Sequence, residues 1–152
     1  RRYLNRVSGP FLDRIDIGVE VPRQDLGMMA AEKSIDEGSF PQTEQRDSSA
    51  VMRARVMEAR ARQEKRFADE SISYNSQMTR RQIEEYCRLS GEDAVFLEKV
   101  ERQQGISARG HGKILKVART LADLDGQAEI GRAQLAEAIG FRSFEKKYWG
   151  SL

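Results

Sequence analysis

The chain has 152 residues, 33% of them charged, with 26 Lys and Arg against 24 Asp and Glu for a formal net charge of +2. That length suits one compact domain plus an appendage, and a mean hydropathy of −0.67 with no long apolar run excludes a membrane-spanning helix. A single cysteine, Cys87, excludes an intramolecular disulfide and suits the cytosol, and a single histidine, His111, leaves no metal-ligand spacing and no Ser/His/Asp or Cys/His chemistry.

The chain opens on Arg1-Arg2-Tyr3 without Met and reads as a piece of a longer protein. Residues 15–21, Ile-Asp-Ile-Gly-Val-Glu-Val, alternate apolar and polar, which predicts a β-strand ended by Pro22. A lone strand has no ladder partner, so it belongs to a sheet outside the chain or pairs with another copy. Residues 23–47, with Gly27, Gly38 and Pro41, read as a mobile linker with a short helical turn around 28–33.

Helices follow. Asp47 or Ser48 caps a long one to about Ala68, with Met52, Val56, Ala59, Gln63 and Phe67 on one face. A polar connection over 69–77 carries Tyr74 and Asn75. Thr79 caps a second helix through Leu89, where Cys87 shares a face with Ile83 and Tyr86 and reads as a buried thiol. Gly91 breaks it, and a third covers 92–104 with Leu97 and Val100 inward, stopped by Gly105. Ser107 caps a helix through Leu124 with a stripe of Ile114, Val117, Ala118, Leu121 and Leu124. The last covers 131–140, with Leu135, Ala138 and Ile139 inward, before a tail holding Phe141, Phe144, Tyr148 and Trp149. The fold class is all-α, a helical bundle preceded by one stray β-strand and a flexible linker.

Two features point to anions. Residues 51–66 carry Arg53, Arg55, Arg60, Arg62, Lys65 and Arg66 against only Glu58 and Glu64. That is either a helix that meets nucleic-acid phosphates or a solvated face. Arg109 sits in the first turn of its helix, where a cation opposes the macrodipole unless an anion is near. Residues 107–114 only mimic a phosphate-binding loop: Ser107 replaces its first glycine and Ile114 its final hydroxyl residue.

Three blocks resemble the C-terminal part of magnesium-chelatase-like AAA+ ATPases of the ComM/YifB branch. Residues 3–22 resemble that family's Y-x-x-R-[IV]-S-G-P-L-L-D-R-I-D segment, with Phe11 in place of a leucine. Residues 53–67 are similar to R-x-x-V-x-x-A-R-x-x-Q-x-x-R-[FY]. Residues 107–124 are similar to S-A-R-x-x-x-x-I-L-K-V-A-R-T-I-A-D-L, departing from it in Gly110 and Gly112, which loosen the first turns. Leu135-Ala-Glu-Ala-Ile139 extends the third block.

The resemblance implies the following assignment. Residues 1–22 end the ATPase core, 23–47 are a linker, 48–141 are the helical lid and 142–152 a tail. Arg14 is the arginine finger directed at a neighbour's ATP. Arg109 is the sensor-2 arginine that touches the γ-phosphate. Arg119 is a lid salt bridge or a second phosphate contact, with the salt bridge favoured. The Walker A and Walker B segments lie upstream, so ATP and Mg²⁺ belong to the full-length parent and this piece alone holds neither and is not catalytic. The partners implied are the missing core, neighbouring subunits of a homo-oligomeric ring, and DNA as the motor's substrate in competence or recombination, with no membrane and a cytoplasmic location. The alternative is a basic helical nucleic-acid-binding module without an ATPase role.

Overall fold

In the computed structural model the described residues are 14–21 and 48–142. Most helices start on a hydroxyl that accepts an otherwise orphaned first-turn amide. Ser48 accepts from the Val51 amide at 3.3 Å and opens α1, Ser49–Arg66. Thr79 opens α2, Arg80–Tyr86, with the Gln82 side chain accepting from the Thr79 amide at 2.8 Å. Ser90 accepts from the Asp93 amide at 3.2 Å and opens α3, Gly91–Gln104. Ser107 accepts from the Gly110 amide at 3.1 Å and opens α4, Ala108–Leu124. The last helix, α5, Arg132–Gly140, uses Gln134, whose side chain accepts from the Gly131 amide at 3.1 Å. A 3-10 turn, Asn75–Gln77, lies between α1 and α2. Gly105 after α3 and Gly126 after α4 take φ of +68° and +72°, which only glycine adopts without a Cβ penalty.

The hub is α4, which packs against α1, the 3-10 turn, α2 and α5. Ile114, Ala118 and Ala122 recur at the four-residue spacing of one helix face and are each 0% exposed. Leu97 of α3, Leu135, Ala138 and Ile139 of α5, and Phe67, Met78 and Cys87 close the same cluster. Burying a side chain of Leu or Phe size contributes about 1.5–3 kcal/mol. Phe67 and Tyr86 meet edge to face, with centroids 5.4 Å apart.

The described residues are all-helical, and the strand expected over 15–21 is not there. The alternation is real, but Ile17, Val19 and Val21 are exposed. A period-two segment becomes a strand only beside a ladder partner, and none lies among the described residues. Instead the segment docks on the helices through one backbone bond, from the Gly18 amide to the Phe141 carbonyl at 2.9 Å, and through side chains taken up below. The expected inward stripe of α1 is half correct. Gln63 and Ala59 are buried, but Met52 and Val56 are exposed because residues 49–58 extend past the body. The second helix stops at Tyr86, short of Leu89, because the chain must turn before Ser90 can cap α3. Gly91 is the first residue of α3 rather than a breaker. The linker over 23–47 and the tail aromatics Phe144, Tyr148 and Trp149 lie outside the described residues.

Candidate functional site

The two ends of α4 carry different chemistry. At the N-terminal end, Ser107 and Ala108 lead directly into Arg109, which is exposed. Among the described residues Arg109 makes no hydrogen bond or ion pair. Its helix has no acidic residue in the first turn to offset it. Gly110 does not loosen this turn, which is helical throughout. A Cβ at 110 would lie 2.7 Å from the Ile106 side chain and 3.9 Å from Arg142 Nε, so close packing demands glycine. At Gly112 the nearest atom would be Ile83 Cδ1 at 3.5 Å, an ordinary contact. His111 Nδ1 lies 2.7 Å from Glu101 Oε1, which ties α4 to α3.

Arg14 approaches this same end. It is exposed in a turn immediately before Ile15. The Ile15 carbonyl accepts from Lys113 Nζ at 3.3 Å and from Arg142 Nη1 at 3.0 Å. Lys113 also pairs with Asp16 at 2.8 Å. The structure thus ties the Arg14 segment to the helix that presents Arg109.

At the C-terminal end sits a buried carboxylate. Asp123 is 0% exposed. It accepts from both terminal nitrogens of Arg66, from Asn75 Nδ2 at 2.8 Å, and pairs with Arg119 at 3.1 Å. Burial pushes its carboxyl up, but the hydrogen bonds from Arg66 and Asn75 and both guanidinium charges outweigh that and hold it below the ordinary 3.8. Arg119 further donates to the carbonyls of Ala128 at 2.8 Å and Gln127 at 2.7 Å. Arg62 Nη1 donates to the Asp123 carbonyl at 3.0 Å. Asn75 is 1% exposed; its amide donates to Gln63 Oε1 at 3.1 Å and its side chain to Thr120 at 3.1 Å. This network joins α1, the 3-10 turn and α4. The sequence reading found the Arg119 salt bridge but missed Asp123 and Asn75 as its centre. The available signal was an Asp four residues after Arg119 on a helix.

The basic helix divides accordingly. Arg62 and Arg66 are committed to Asp123, and Arg62 also faces Glu58 at 3.7 Å. Lys65 lines a shallow groove with them and with residues 126–128. Arg60 lies 5.8 Å from the Tyr74 ring centroid. Arg53 and Arg55 are exposed on the projecting half of α1. Cys87 is 4% exposed, and burial pushes its thiol up to about 11, so it acts as packing rather than as a nucleophile. Among the described residues no group of three or more His, Cys, Asp or Glu is gathered as for a metal ion, and no helix is long and apolar enough to cross a membrane.

Residues 46–142 match the family described as magnesium chelatase, subunit ChlI C-terminal, and residues 1–29 match magnesium chelatase, subunit ChlI. The chain is 41% identical over 143 residues to the competence protein ComM of Haemophilus influenzae, covering 93% of this chain and 25% of that protein. It is 39% identical over 145 residues to the YifB protein of Escherichia coli, covering 95% of this chain and 26% of that one. A Mycobacterium tuberculosis protein, Rv2897c, is 30% identical over 142 residues, 93% of this chain and 26% of its own length. The chain therefore spans about a quarter of the length of the curated relatives it matches. With the helical body of 48–142 coinciding with the C-terminal match, the chain belongs to the magnesium-chelatase-like family as a C-terminal portion of the ComM/YifB kind.

Proposed function

We propose that the helical body is the lid of a ring-forming, magnesium-chelatase-like ATPase, with Arg109 as its contact to the γ-phosphate of ATP. One observation carries this reading. Arg109 is an exposed guanidinium at the positive end of α4 that bonds no described residue. The fold gains nothing from a cation there, whereas a phosphate would be met by a fork of donors that is always charged. Arg14, also exposed and bonding no described residue, is the candidate arginine finger toward a neighbouring subunit. ATP and Mg²⁺ would be held by the length of the relatives that this chain does not span. The groups here that fit the nucleotide are these two guanidiniums, which would neutralise charge on the transferring phosphoryl group. The exposed Ile17, Val19 and Val21, and Val51, Met52, Val56 and Met57 at the outer end of α1, suit contact with that core and with neighbouring subunits.

The test is ATP turnover by the full-length protein that carries this segment. Arg109→Ala should lower turnover by about 10²–10³ while the helical circular-dichroism signal and its melting midpoint stay put. Wild-type turnover in that variant would remove Arg109 from the site.

A second reading, direct contact with nucleic acid, is favoured by Arg53, Arg55, Arg60 and Lys65, which all lie exposed on α1. DNA remains our proposed substrate for the motor. Anisotropy of labelled single- and double-stranded DNA with the 152-residue chain should show binding that weakens steeply with salt. The absence of binding at low salt would leave DNA to other parts of the motor.

A further inference from the structure

Four contacts converge on a short stretch of backbone at the Arg109 end of α4. Lys113 Nζ and Arg142 Nη1 both donate to the Ile15 carbonyl, Lys113 pairs with Asp16, and the Gly18 amide donates to the Phe141 carbonyl. Two of the donors are drawn well out of solvent. The Lys113 side chain is 17% exposed and Arg142 is 6% exposed. A desolvated cation that loses its acceptor costs far more than a surface ion pair gains. The docking is therefore specified by the lid side of the contact.

Its position gives it meaning. Arg14 is joined directly to Ile15, so fixing the Ile15 carbonyl fixes the backbone from which Arg14 extends. Lys113 lies four residues after Arg109, on the same face of α4 and one turn away. Gly110 allows Arg142 to lie close over the start of α4. We propose that Lys113 and Arg142 are positioning residues: they latch the Arg14 segment to the helix that bears Arg109, so that the two guanidiniums move as one body. This rests on the ATPase-lid reading. A lid that shifts with the state of the γ-phosphate then carries Arg14 with it. Phosphoryl transfer responds steeply to such movement, because a misplacement of about 1 Å can cost about 10² in rate.

The experiment uses the full-length protein and four variants: Lys113→Ala, Asp16→Asn, Arg14→Ala and the double variant Lys113→Ala/Arg14→Ala. Asp16 is solvent-facing, with its side chain 63% exposed, so its variant keeps the test open if Lys113→Ala folds poorly. Lys113→Ala should lower kcat by about 10–10² with the KM for ATP little changed, and Asp16→Asn should lower it severalfold. In the double variant the cost should equal that of Arg14→Ala alone. A purely structural role would make the two costs multiply, which overturns the proposal. So does wild-type turnover in both single latch variants. Amide exchange at Gly18 supplies a readout independent of turnover. It should rise at least about tenfold in Lys113→Ala, and unchanged exchange means that no latch exists. Wild-type turnover in Arg14→Ala removes the finger itself and the coupling with it, and the exchange result then reports the tether alone.

Discussion

Arg109 and Arg119 ride the same helix in opposite surroundings. Arg119 is 2% exposed and holds Asp123 and the carbonyls of Gln127 and Ala128. Arg109 is exposed and bonds no described residue. The two side chains have the same charge and the same fork of donors. Desolvation separates them. A buried guanidinium without a partner costs several kcal/mol, so folding dictates its contacts. A cation in a first helical turn loses about 0.3–1 kcal/mol against the macrodipole, so folding alone gives no reason for Arg109. The first arginine explains why the domain holds together, and the second asks for a ligand.

The comparison breaks most sharply at Asp123. Replacing it with Ala leaves the charges of Arg66 and Arg119 facing each other in a dry site, and should cost about 3–5 kcal/mol, read as a fall in the urea midpoint. A shift under 1 kcal/mol would mean that the clamp is decorative. Arg119→Ala should likewise unfold the chain readily. Arg109→Ala should leave the urea midpoint within about 0.5 kcal/mol of wild type, with its effect confined to ATP turnover. Equal destabilisation by the two arginine variants would erase the distinction.

A smaller effect should separate two glycines. Gly110→Ala drives a methyl into Ile106 and should destabilise by about 1–3 kcal/mol. Gly112→Ala meets only an ordinary contact with Ile83 and should stabilise α4 by up to about 1 kcal/mol. Thermal melts of the pair give the sign directly.

The smallest effect is a pH signature. The Asp123 carboxyl has a folded value held below the 3.8 of the free group. Its contribution is complete above that value and is lost as pH falls through the lower folded one. Wild-type stability should therefore drop more steeply below about pH 4 than that of Asp123→Asn. Parallel acid profiles would show that other carboxylates govern the acid limb.

Much of this was legible in the chain. Ser48, Thr79 and Ser107 announce helix starts because capping is local, and Gly105 announces a stop for the same reason; the Ser90 cap went unread because Gly91 beside it was taken as a breaker. Leu135, Ala138 and Ile139 were readable as core because the helical period is local too. What failed depends on distant partners. Residues 15–21 carry strand periodicity but lack a ladder among the described residues. Met52 and Val56 continue the stripe of Ala59 and Gln63 past the point where anything in the described structure covers it. The same limit hid the clamp. Gln63 and Arg66 sit in one resemblance block, Arg119 and Asp123 in another, and only the packing of α1 on α4 reveals them as one network. Arg109 stands in the first turn of its helix, as its place after Ser107 predicted, and the structure adds that it is exposed.

The projection of α1 has a mechanical consequence. Eighteen residues at about 1.5 Å each make a rod about 27 Å long. Among the described residues its polar grip on α4 lies near one end, where Arg62 and Arg66 meet Asp123. A tilt of about 10° at that grip would swing the far tip through about 4 Å, so the helix is a lever that magnifies small rotations of α4. Whatever engages Val51, Met52, Val56 and Met57 holds its long arm.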